Sequence, residues 1–305
     1  MYMQPGKFRG FQRISGEDGV FRILALDQRN SLKKMLMNFF NTQNEKLMTN
    51  VKKSILKTLS PHVSAVLVDG EYAFPSMLPL IPPQTGVILS LEKSGYIDEG
   101  KGRLNVLYRE DGVEYARKSG ADAVKLLIYW STEAHDEVKK RQMKLVKEVG
   151  MRAKEQDILF ILEILIYGKR KGRDEEILEA VKTFSGEEYC VDIFKIEPFK
   201  ELKDGTKVKE STSGKPWVIL SGGMDVIEFE RILSRNVELG ASGFLAGRVI
   251  WKNSVRYADT IEKLEKFLCT EGTRNLRILA RSIYTALPWY SCEYFGGYES
   301  LEISS

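Results

Sequence analysis

The stretch that decides the fold is Tyr189-Cys190-Val191-Asp192-Ile193-Phe194-Lys195-Ile196-Glu197-Pro198. It is rich in β-branched and aromatic residues and stops at a proline, a pattern that predicts a buried strand of a parallel sheet. A lysine near the end of such a strand is unusual, because an ammonium without a partner is costly to bury. Lys195 must reach a carboxylate, reach solvent or lose its proton, and a deprotonated lysine is a nucleophile for carbonyl groups. The alternative is a structural lysine that extends to the rim or pairs with Glu197.

Length and composition describe a soluble globular protein. The 305 residues suffice for one large domain or two ordinary ones, and 43% of them are hydrophobic. A net charge of +4, from 46 basic and 42 acidic residues, is too dilute to indicate a nucleic-acid surface. No apolar run approaches the roughly 20 residues needed to cross a membrane. Three cysteines without paired spacing and a polar N-terminus lead us to expect a cytoplasmic protein.

Seven further apolar runs have the length of strands. They are Phe21–Leu26, Ser64–Val68, Gly86–Leu91, Ala123–Ile128, Leu159–Leu162, Trp217–Leu220 and Gly243–Leu245. Helical patterns separate them, for example over 133–156 and 174–184, and Asp225 has the spacing to Glu228 of a capping box. Eight such units in about 250 residues predict an α/β fold, a single (β/α)8 TIM barrel. An open doubly wound sheet is the alternative, but no Gly-x-Gly-x-x-Gly follows an early strand.

The barrel domain is expected to span residues 1–290. Residues 291–305 lie outside the repeating pattern and form a C-terminal tail rich in aromatic residues. We expect this tail to cover one end of the barrel or to form an oligomer contact.

Polar residues close the apolar runs. In a (β/α)8 barrel the C-terminal ends of the strands form the catalytic face, so these residues would meet at one mouth. They are Asp27, Glu92, Lys93, Lys125, Glu163, Lys195, Ser221 and Arg248. Side chains alternate along a strand. If Lys125, Glu163 and Lys195 point inward, the residues that share their faces are all apolar, namely Leu127, Ile161 and Ile193.

Two lysines and two carboxylates in one pocket suit Schiff-base chemistry. A second ammonium and burial both lower the pKa of a lysine, which leaves some neutral amine at about pH 7. The carboxylates, Asp27 and Glu163, would move protons during carbinolamine dehydration and carbon–carbon cleavage. For either carboxylate taken singly, a salt bridge at a strand end is the alternative explanation.

Two glycine-containing turns close the seventh and eighth strands. They are Ser221-Gly222-Gly223 and Ala246-Gly247-Arg248. Barrels often bind phosphate at this position through glycine amides, a hydroxyl and a helix N-terminus, and an arginine adds a cation with two donor nitrogens. The only histidines, His62 and His135, fall in a loop and near a helix start, so the chain cannot supply a histidine-rich zinc site. We therefore expect no metal and no cofactor.

Seven motifs follow one another along the predicted barrel. They are Ala25–Arg29, Glu92–Tyr96, Gly120–Leu127, Phe160–Leu165, Val191–Glu197, Leu220–Gly223 and Ala246–Trp251. In order and spacing, over nearly the whole chain, they resemble those of the class I tagatose 1,6-bisphosphate aldolases and of their relatives that cleave sulfofructose 1-phosphate.

This resemblance implies that Lys195 forms a Schiff base with the C2 carbonyl of a phosphorylated ketose in a (β/α)8 barrel. Lys125 would favour the neutral amine of Lys195 and help to hold the substrate. Glu163 and Asp27 would be the acid–base carboxylates. Ser221, Gly247 and Arg248 would bind the C1 phosphate. The remaining substrate contacts expected from these motifs are Gly222, Gly223, Gln28, Arg29, Glu92 and Lys93. The resemblance also implies a homo-oligomer, a dimer or higher. Its binding partner would be a small phosphorylated sugar rather than nucleic acid or a membrane.

Departures from the family pattern leave the group on C6 open. Asn30-Ser31 stands where Gly-Ala is expected, Pro198 directly follows Ile-Glu, and the segments that flank the Lys195 strand are shorter. Arg29 and Lys93 could bind a phosphate or a sulfonate there, or form structural ion pairs.

The leading hypothesis is a class I aldolase that reversibly cleaves a ketose 1-phosphate or 1,6-bisphosphate of the tagatose type. Its products would be dihydroxyacetone phosphate and an aldehyde such as glyceraldehyde 3-phosphate. A sulfofructose 1-phosphate aldolase and a non-catalytic sugar-phosphate sensor on the same scaffold are the alternatives.

Overall fold

Eight parallel strands form a closed barrel in the computed structural model, which describes residues 2–42, 44–98, 100, 102–168 and 172–304. Each strand pairs with its neighbours along the chain, and the last pairs with the first. The strands are β1 (Phe21–Leu26), β2 (Ala65–Asp69), β3 (Gly86–Ser90), β4 (Ala123–Trp130), β5 (Leu159–Ile166), β6 (Ile193–Ile196), β7 (Trp217–Ile219) and β8 (Gly243–Ala246). The predicted (β/α)8 barrel is confirmed. The predicted barrel domain begins at Met1 and the predicted C-terminal tail ends at Ser305, and both of these residues lie outside the described residues.

Helices follow the strands and cover the outside of the barrel, except that the first helix packs against the N-terminal end of the barrel. They are α1 (Pro5–Ile14), α2 (Asn30–Phe40), α3 (Glu45–Leu59), α4 (Gly112–Lys118), α5 (Asp136–Glu155), α6 (Arg173–Phe184), α7 (Gly205–Ser211), α8 (Val226–Glu238), α9 (Arg248–Trp251), α10 (Ile261–Phe267) and α11 (Thr273–Ser282). The predicted cap of α8 is confirmed, because Asp225 Oδ1 accepts hydrogen bonds from the backbone N–H of Ile227 and of Glu228 at 3.0 Å. Each helix in the described part of the chain is too short or too polar to cross a membrane.

Two strand boundaries differ from the sequence prediction by three residues or more. A 3-10 turn at Glu187–Tyr189 and a left-handed Cys190, with φ of 50°, interrupt the apolar run before Lys195, so β6 begins only at Ile193. Strand β5 does not stop at Glu163 but continues to Ile166, because it pairs with β4 over the full length of both strands. Glu163 therefore lies inside a strand rather than at its end.

Alternating side chains divide the core into two layers. Ile161 and Ile193 belong to the buried cluster inside the barrel, whereas Phe194 packs between the strands and the helices. Glu163 and Lys195 follow the two inner residues by one alternation along their strands. Their predicted inward direction is confirmed.

The N-terminal end of the barrel is closed by an aromatic plug formed by Phe11, Trp289 and Phe295. Trp289 stacks on Phe11 with ring centroids 4.4 Å apart, and Phe295 meets both rings edge-on at 5.3 Å. The backbone N–H of Trp289 donates to the carbonyl of Gly19 at 3.0 Å, just before β1. Beside the plug, the short strands Tyr2–Met3 and Glu302–Ile303 pair and join the two ends of the chain. The C-terminal segment therefore completes the core below the barrel.

A buried ion pair joins α3 to the ends of β1 and β2. Lys52 is fully buried, and its Nζ lies 2.6 Å from Asp69 Oδ2 and 2.7 Å from the carbonyl oxygen of Leu26. The other oxygen of Asp69 accepts two backbone N–H groups of the following turn, at 2.7 and 3.0 Å. Burial lowers the pKa of Lys52, and the Asp69 carboxylate opposes this shift. The pair holds the peptide that precedes Asp27.

Replacing Trp289 with alanine should open a cavity in the aromatic plug. Loss of a buried aromatic side chain costs about 3–5 kcal/mol, so we expect the free energy of unfolding to fall by about that amount in urea titrations followed by circular dichroism. Tyr284→Ala is the control, because Tyr284 is 89% exposed. Equal losses in the two variants would contradict the role of the plug.

Replacing Asp69 with alanine should leave the Lys52 ammonium buried without its carboxylate. Breaking a buried ion pair on one side costs about 3–5 kcal/mol, which the same unfolding titration measures. Asp111→Ala is the matched control, because it breaks an exposed pair with Arg109 of 2.9 Å and should leave stability nearly unchanged. A stable Asp69→Ala protein would show that Lys52 does not depend on this carboxylate.

Candidate active site

A cavity of about 550 Å³ opens at the C-terminal end of the barrel. The predicted site residues that line it are Asp27, Gln28, Arg29, Glu92, Lys93, Glu163, Lys195, Ser221, Gly222, Gly247 and Arg248. Lys125 lies fully buried beneath them. Gly223 stands behind Arg248, since a Cβ on this glycine would lie 3.4 Å from the guanidinium carbon. The structure thus brings together side chains that the sequence separates by more than two hundred residues.

Lys125 is surrounded by three carboxylates. Its Nζ lies 2.7 Å from Asp27 Oδ2, 2.6 Å from Glu92 Oε1 and 3.0 Å from Glu163 Oε2. Burial alone would lower the pKa of Lys125, but the charges of Asp27, Glu163 and Glu92 outweigh it and raise the pKa well above its usual value. Lys125 therefore stays an ammonium.

The pKa values of Asp27 and Glu92 shift in opposite directions, although the Lys125 ammonium acts to lower both. Burial would raise the pKa of Asp27, but Lys125, Lys195 and Arg29 together lower it far below its usual range. Burial does raise the pKa of Glu92, against the opposing charge of Lys125. Glu92 Oε2 also accepts the backbone N–H of Leu127 at 3.0 Å, so both of its oxygens have partners. Asp27 is thus a fixed anion, whereas Glu92 braces Lys125.

Lys195 contacts the same glutamate as Lys125. Its side chain is 4% exposed, and its Nζ lies 2.9 Å from Glu163 Oε2. Strand register makes Glu163 and Lys195 direct neighbours on β5 and β6. Glu163 Oε2 is in ion-pair contact with both ammonium groups but has no partner with hydrogen-bond geometry among the described residues. Glu197 pairs instead with Arg173 at 2.8 Å, so it is not the partner of Lys195.

Two glycine loops, 221–223 and 246–248, form the wall beside β7 and β8. Gly222 and Gly223 have φ of 57° and 88°, a left-handed conformation that favours glycine. Lys252 Nζ donates to the Gly223 carbonyl at 2.6 Å and to the next carbonyl at 3.0 Å, which fixes the first loop. At Gly247 a Cβ would lie 2.2 Å from the carbonyl oxygen of Ala25. Glycine therefore allows the second loop to lie directly against β1.

Arg29 and Gln28 lie beside the cavity, where β1 passes into α2. Arg29 is 4% exposed, and its Nη2 donates to the carbonyl of Glu92 at 2.7 Å. Its Nε and Nη1 and the Oε1 of Gln28 have no hydrogen-bond partner among the described residues, and the nearest carboxylate oxygen to Nη1, on Glu71, is 3.9 Å away. Buried polar groups are usually paired. These two side chains thus retain hydrogen-bonding capacity at the cavity wall.

Sequence reasoning missed part of the cavity wall. Tyr129 and Leu165 line the cavity because they continue the inward faces of β4 and β5, and the two-residue alternation that placed Lys125 inward could have found them. Six further residues that were not predicted come from α2 and from the loop after β3. They are Asn30, Ser31, Lys34, Ser94, Gly95 and Tyr96.

Known proteins similar to this chain are aldolases. The family model described as DeoC/LacD family aldolase matches residues 21–253. Tagatose 1,6-diphosphate aldolase 1 from Streptococcus mutans is 31% identical over 91% of this chain and 96% of its own length. A tagatose 1,6-diphosphate aldolase from Listeria monocytogenes is 28% identical over 98% of this chain and 97% of its own length.

Solved structures of other aldolases share the fold. A fructose-bisphosphate aldolase from Plasmodium falciparum has a TM-score of 0.67 at 16% identity, covering 93% of this chain and 97% of that chain. An archaeal fructose 1,6-bisphosphate aldolase has a TM-score of 0.57 at 16% identity, covering 87% and 99%. At these identities the likeness shows the barrel fold alone, whereas the family model and the streptococcal relative identify the family. The chain belongs to the DeoC/LacD family of aldolases.

Proposed function

We propose that this protein is a class I aldolase that reversibly cleaves a ketose 1-phosphate or 1,6-bisphosphate of the tagatose type. The products would be dihydroxyacetone phosphate and an aldehyde such as glyceraldehyde 3-phosphate. The observation that carries the proposal is the 2.9 Å contact between Lys195 Nζ and Glu163 Oε2 in the cavity. Relatives along nearly the whole chain are named for aldolase activity on tagatose 1,6-diphosphate, which supports the same reaction.

Lys195 would begin the reaction as the nucleophile. Its neutral amine attacks C2 of the ketose, a C–N bond forms, and the former carbonyl oxygen takes up a proton. Loss of this oxygen as water converts the carbinolamine into an iminium. Glu163 Oε2 lies 2.9 Å from Lys195 Nζ and has no hydrogen-bond partner within the described part of the protein. Glu163 is therefore suited to give and receive these protons.

The iminium would then draw the electrons of the C3–C4 bond. As that bond breaks, the C4 hydroxyl gives its proton to a carboxylate, the aldehyde leaves, and an enamine remains on Lys195. Protonation of the enamine at C3 and hydrolysis of the resulting iminium release dihydroxyacetone phosphate and restore the amine. Asp27, whose pKa is held low by Lys125, is suited to accept a hydrogen bond from a substrate hydroxyl while staying charged.

The two lysines have different roles in this scheme. Lys125 is held as an ammonium by three carboxylates, so it cannot attack a carbonyl. It can fix Asp27 and Glu163 in place and donate to a substrate oxygen. Among the described residues, Lys195 has one carboxylate contact, to Glu163, and it would be the amine that reacts.

The C1 phosphate would bind at the two glycine loops. Backbone N–H groups at Gly222, Gly223 and Gly247, the hydroxyl of Ser221 and the guanidinium of Arg248 provide neutral donors and one cation. Their lack of side chains lets the glycines bring the backbone close to an anion. All but Gly223 line the cavity.

A phosphate on C6 would meet the cations of the remaining wall. Arg29, Lys34 and Lys93 line it, and Gln28 adds a polar group. The relatives are named for a substrate with two phosphates, which favours a bisphosphate here. The sulfosugar and sensor alternatives gain no support from these names.

A homo-oligomer of two or more copies is part of the proposal and rests on the family resemblance alone. Light scattering coupled to size-exclusion chromatography measures it directly. The cytoplasmic location remains a prediction.

Lys195→Ala should abolish cleavage and leave the fold intact, because alanine removes the attacking amine. Incubation of the wild type with dihydroxyacetone phosphate and borohydride, followed by digestion and mass spectrometry, should locate a secondary amine on Lys195. Lys200→Ala is the control, since Lys200 is exposed in the loop that follows β6 and lies outside the cavity. An adduct on another lysine, or substantial turnover in Lys195→Ala, would contradict the assignment.

Arg248→Ala should chiefly raise KM for ketoses phosphorylated at C1, by roughly 10- to 100-fold, because a charge-assisted hydrogen bond to an anion is lost. Arg248→Lys should recover part of the loss. Steady-state kinetics provide the measurement, and Arg256→Ala, which removes an exposed arginine near α9, is the control. An unchanged KM in Arg248→Ala would remove this residue from the phosphate site.

A further inference from the structure

One arginine lies among three tyrosine rings beside the cavity. Arg103 belongs to the short hairpin after β3, in which Ile97–Asp98 pairs with Arg103–Leu104. Its guanidinium carbon lies 4.3 Å from the ring centroid of Tyr96, 4.7 Å from that of Tyr167 and 5.6 Å from that of Tyr129. The rings of Tyr96 and Tyr129 meet edge-on at 5.0 Å. We call these four residues the tyrosine cage.

Ring faces, rather than a carboxylate, hold the guanidinium of Arg103. Within the described ranges, this group has no ion pair and no hydrogen bond to another side chain. A guanidinium is attracted to the face of an aromatic ring, more strongly where water is excluded. The backbone is fixed as well, since the N–H of Arg103 donates to Tyr167 Oη at 3.0 Å and its carbonyl accepts from Gln142 Nε2 at 3.1 Å. Arg103 therefore ties the hairpin to the ends of β4 and β5.

Two members of the cage face the cavity. Tyr96 and Tyr129 line it, while Arg103 and Tyr167 stand behind them. Tyr129 follows Leu127 in the inward alternation of β4. Burial and the nearby charge of Glu163 raise the pKa of Tyr129, against the opposing charge of Arg103, so its phenol stays protonated and can donate a hydrogen bond.

The cage lies across the barrel from the glycine loops. In the closed strand order, β3 and β4 are four positions away from β7 and β8. A ketose with its C1 phosphate on the glycine loops and its C2 on Lys195 must extend its C4–C6 half away from them. That half, which becomes the aldehyde product, therefore points towards the cage.

We propose that the tyrosine cage determines which aldehyde the enzyme accepts, with Tyr96 and Tyr129 in contact with the aldehyde and Arg103 as the positioning residue behind them. This inference rests on the proposed function. The chemistry fits a short polyhydroxylated aldehyde, because a phenol can donate to a hydroxyl or phosphate oxygen while the ring packs against the C–H groups of the chain.

Condensation kinetics test the proposal. Dihydroxyacetone phosphate and glyceraldehyde 3-phosphate are the two substrates, and KM is measured for each. Arg103→Met removes the charge and keeps a long side chain, so it should raise KM for the aldehyde about tenfold. KM for dihydroxyacetone phosphate and the yield of its borohydride-trapped adduct should stay unchanged, because the glycine loops and Lys195 are not altered. Arg103→Lys, which retains a cation, should give a smaller rise.

The matched control is Arg109→Met. Arg109 also lies over a tyrosine ring, that of Tyr115 at 4.1 Å, but outside the cavity, so neither KM should change. Tyr167→Phe is the second variant in case Arg103→Met does not fold. It removes only the hydroxyl that accepts from Arg103, and it should raise KM for the aldehyde alone.

Two results would overturn the inference. One is an unchanged aldehyde KM in the cage variants, and the other is an equal rise in both KM values, which would indicate a structural role only. With the wild-type adduct still forming on Lys195, either result leaves the proposed function standing. Failure of the wild type to form any adduct would instead remove the proposed function, and this inference with it.

Discussion

A buried ammonium is stabilised by the carboxylates around it, and Lys125 has three. They come from the end of β1, from the loop after β3 and from the middle of β5. Because side chains alternate in direction along a strand, a slip of one residue in any of these elements would turn a carboxylate away and leave the charge unpaired. The register of the barrel strands therefore determines the geometry of the site. The aromatic plug and the Lys52–Asp69 pair act on the same elements from below and from the side.

Around Lys125, at the closed end of the cavity, four cations face four carboxylates, whereas Lys34, Lys93, Glu197 and Arg248 lie further along the cavity wall. The cations are Arg29, Lys52, Lys125 and Lys195, and the anions are Asp27, Asp69, Glu92 and Glu163. If Lys195 reacts as a neutral amine, one negative charge is left in excess, and formation of an iminium on the same nitrogen restores the balance. Interactions between charges are strong where water is excluded, so such an arrangement would favour the cationic intermediate of the proposed reaction.

The sequence predicted the barrel because its evidence is periodic and repeated. Eight apolar runs with helical segments between them leave few other folds, and the alternation in β4, β5 and β6 gave the inward direction of Lys125, Glu163 and Lys195. The family resemblance, rather than the periodicity, separated Lys195 from Lys125 as the nucleophile. The sequence did not predict the bounds of some strands or the partners of several charged side chains. The length of β5 depends on its neighbour β4, and the left-handed Cys190 that shortens β6 carries no glycine signal.

Contacts made across the barrel mouth were also beyond sequence reasoning. Nothing in the local pattern around Lys52 indicates that its ammonium reaches the end of β2, and nothing around Glu92 indicates that it contacts Lys125. Arg103 and Tyr167 belong to different loops, and only the folded chain brings them together. Such pairs depend on which loops become neighbours, and the chain order of the strands does not specify loop paths.

The aromatic plug has a consequence for how the protein is made. Trp289 and Phe295 come from the last part of the chain, yet they complete the inner cluster that begins with α1 and β1. During synthesis the strands can pair and the helices can pack in order, but the lower end of the barrel stays open until the segment that carries Trp289 and Phe295 has emerged from the ribosome. During that interval Phe11 and the inner faces of the first strands remain accessible to chaperones and to other nascent chains. Completion of the fold thus depends on a segment that is synthesised after all eight barrel strands.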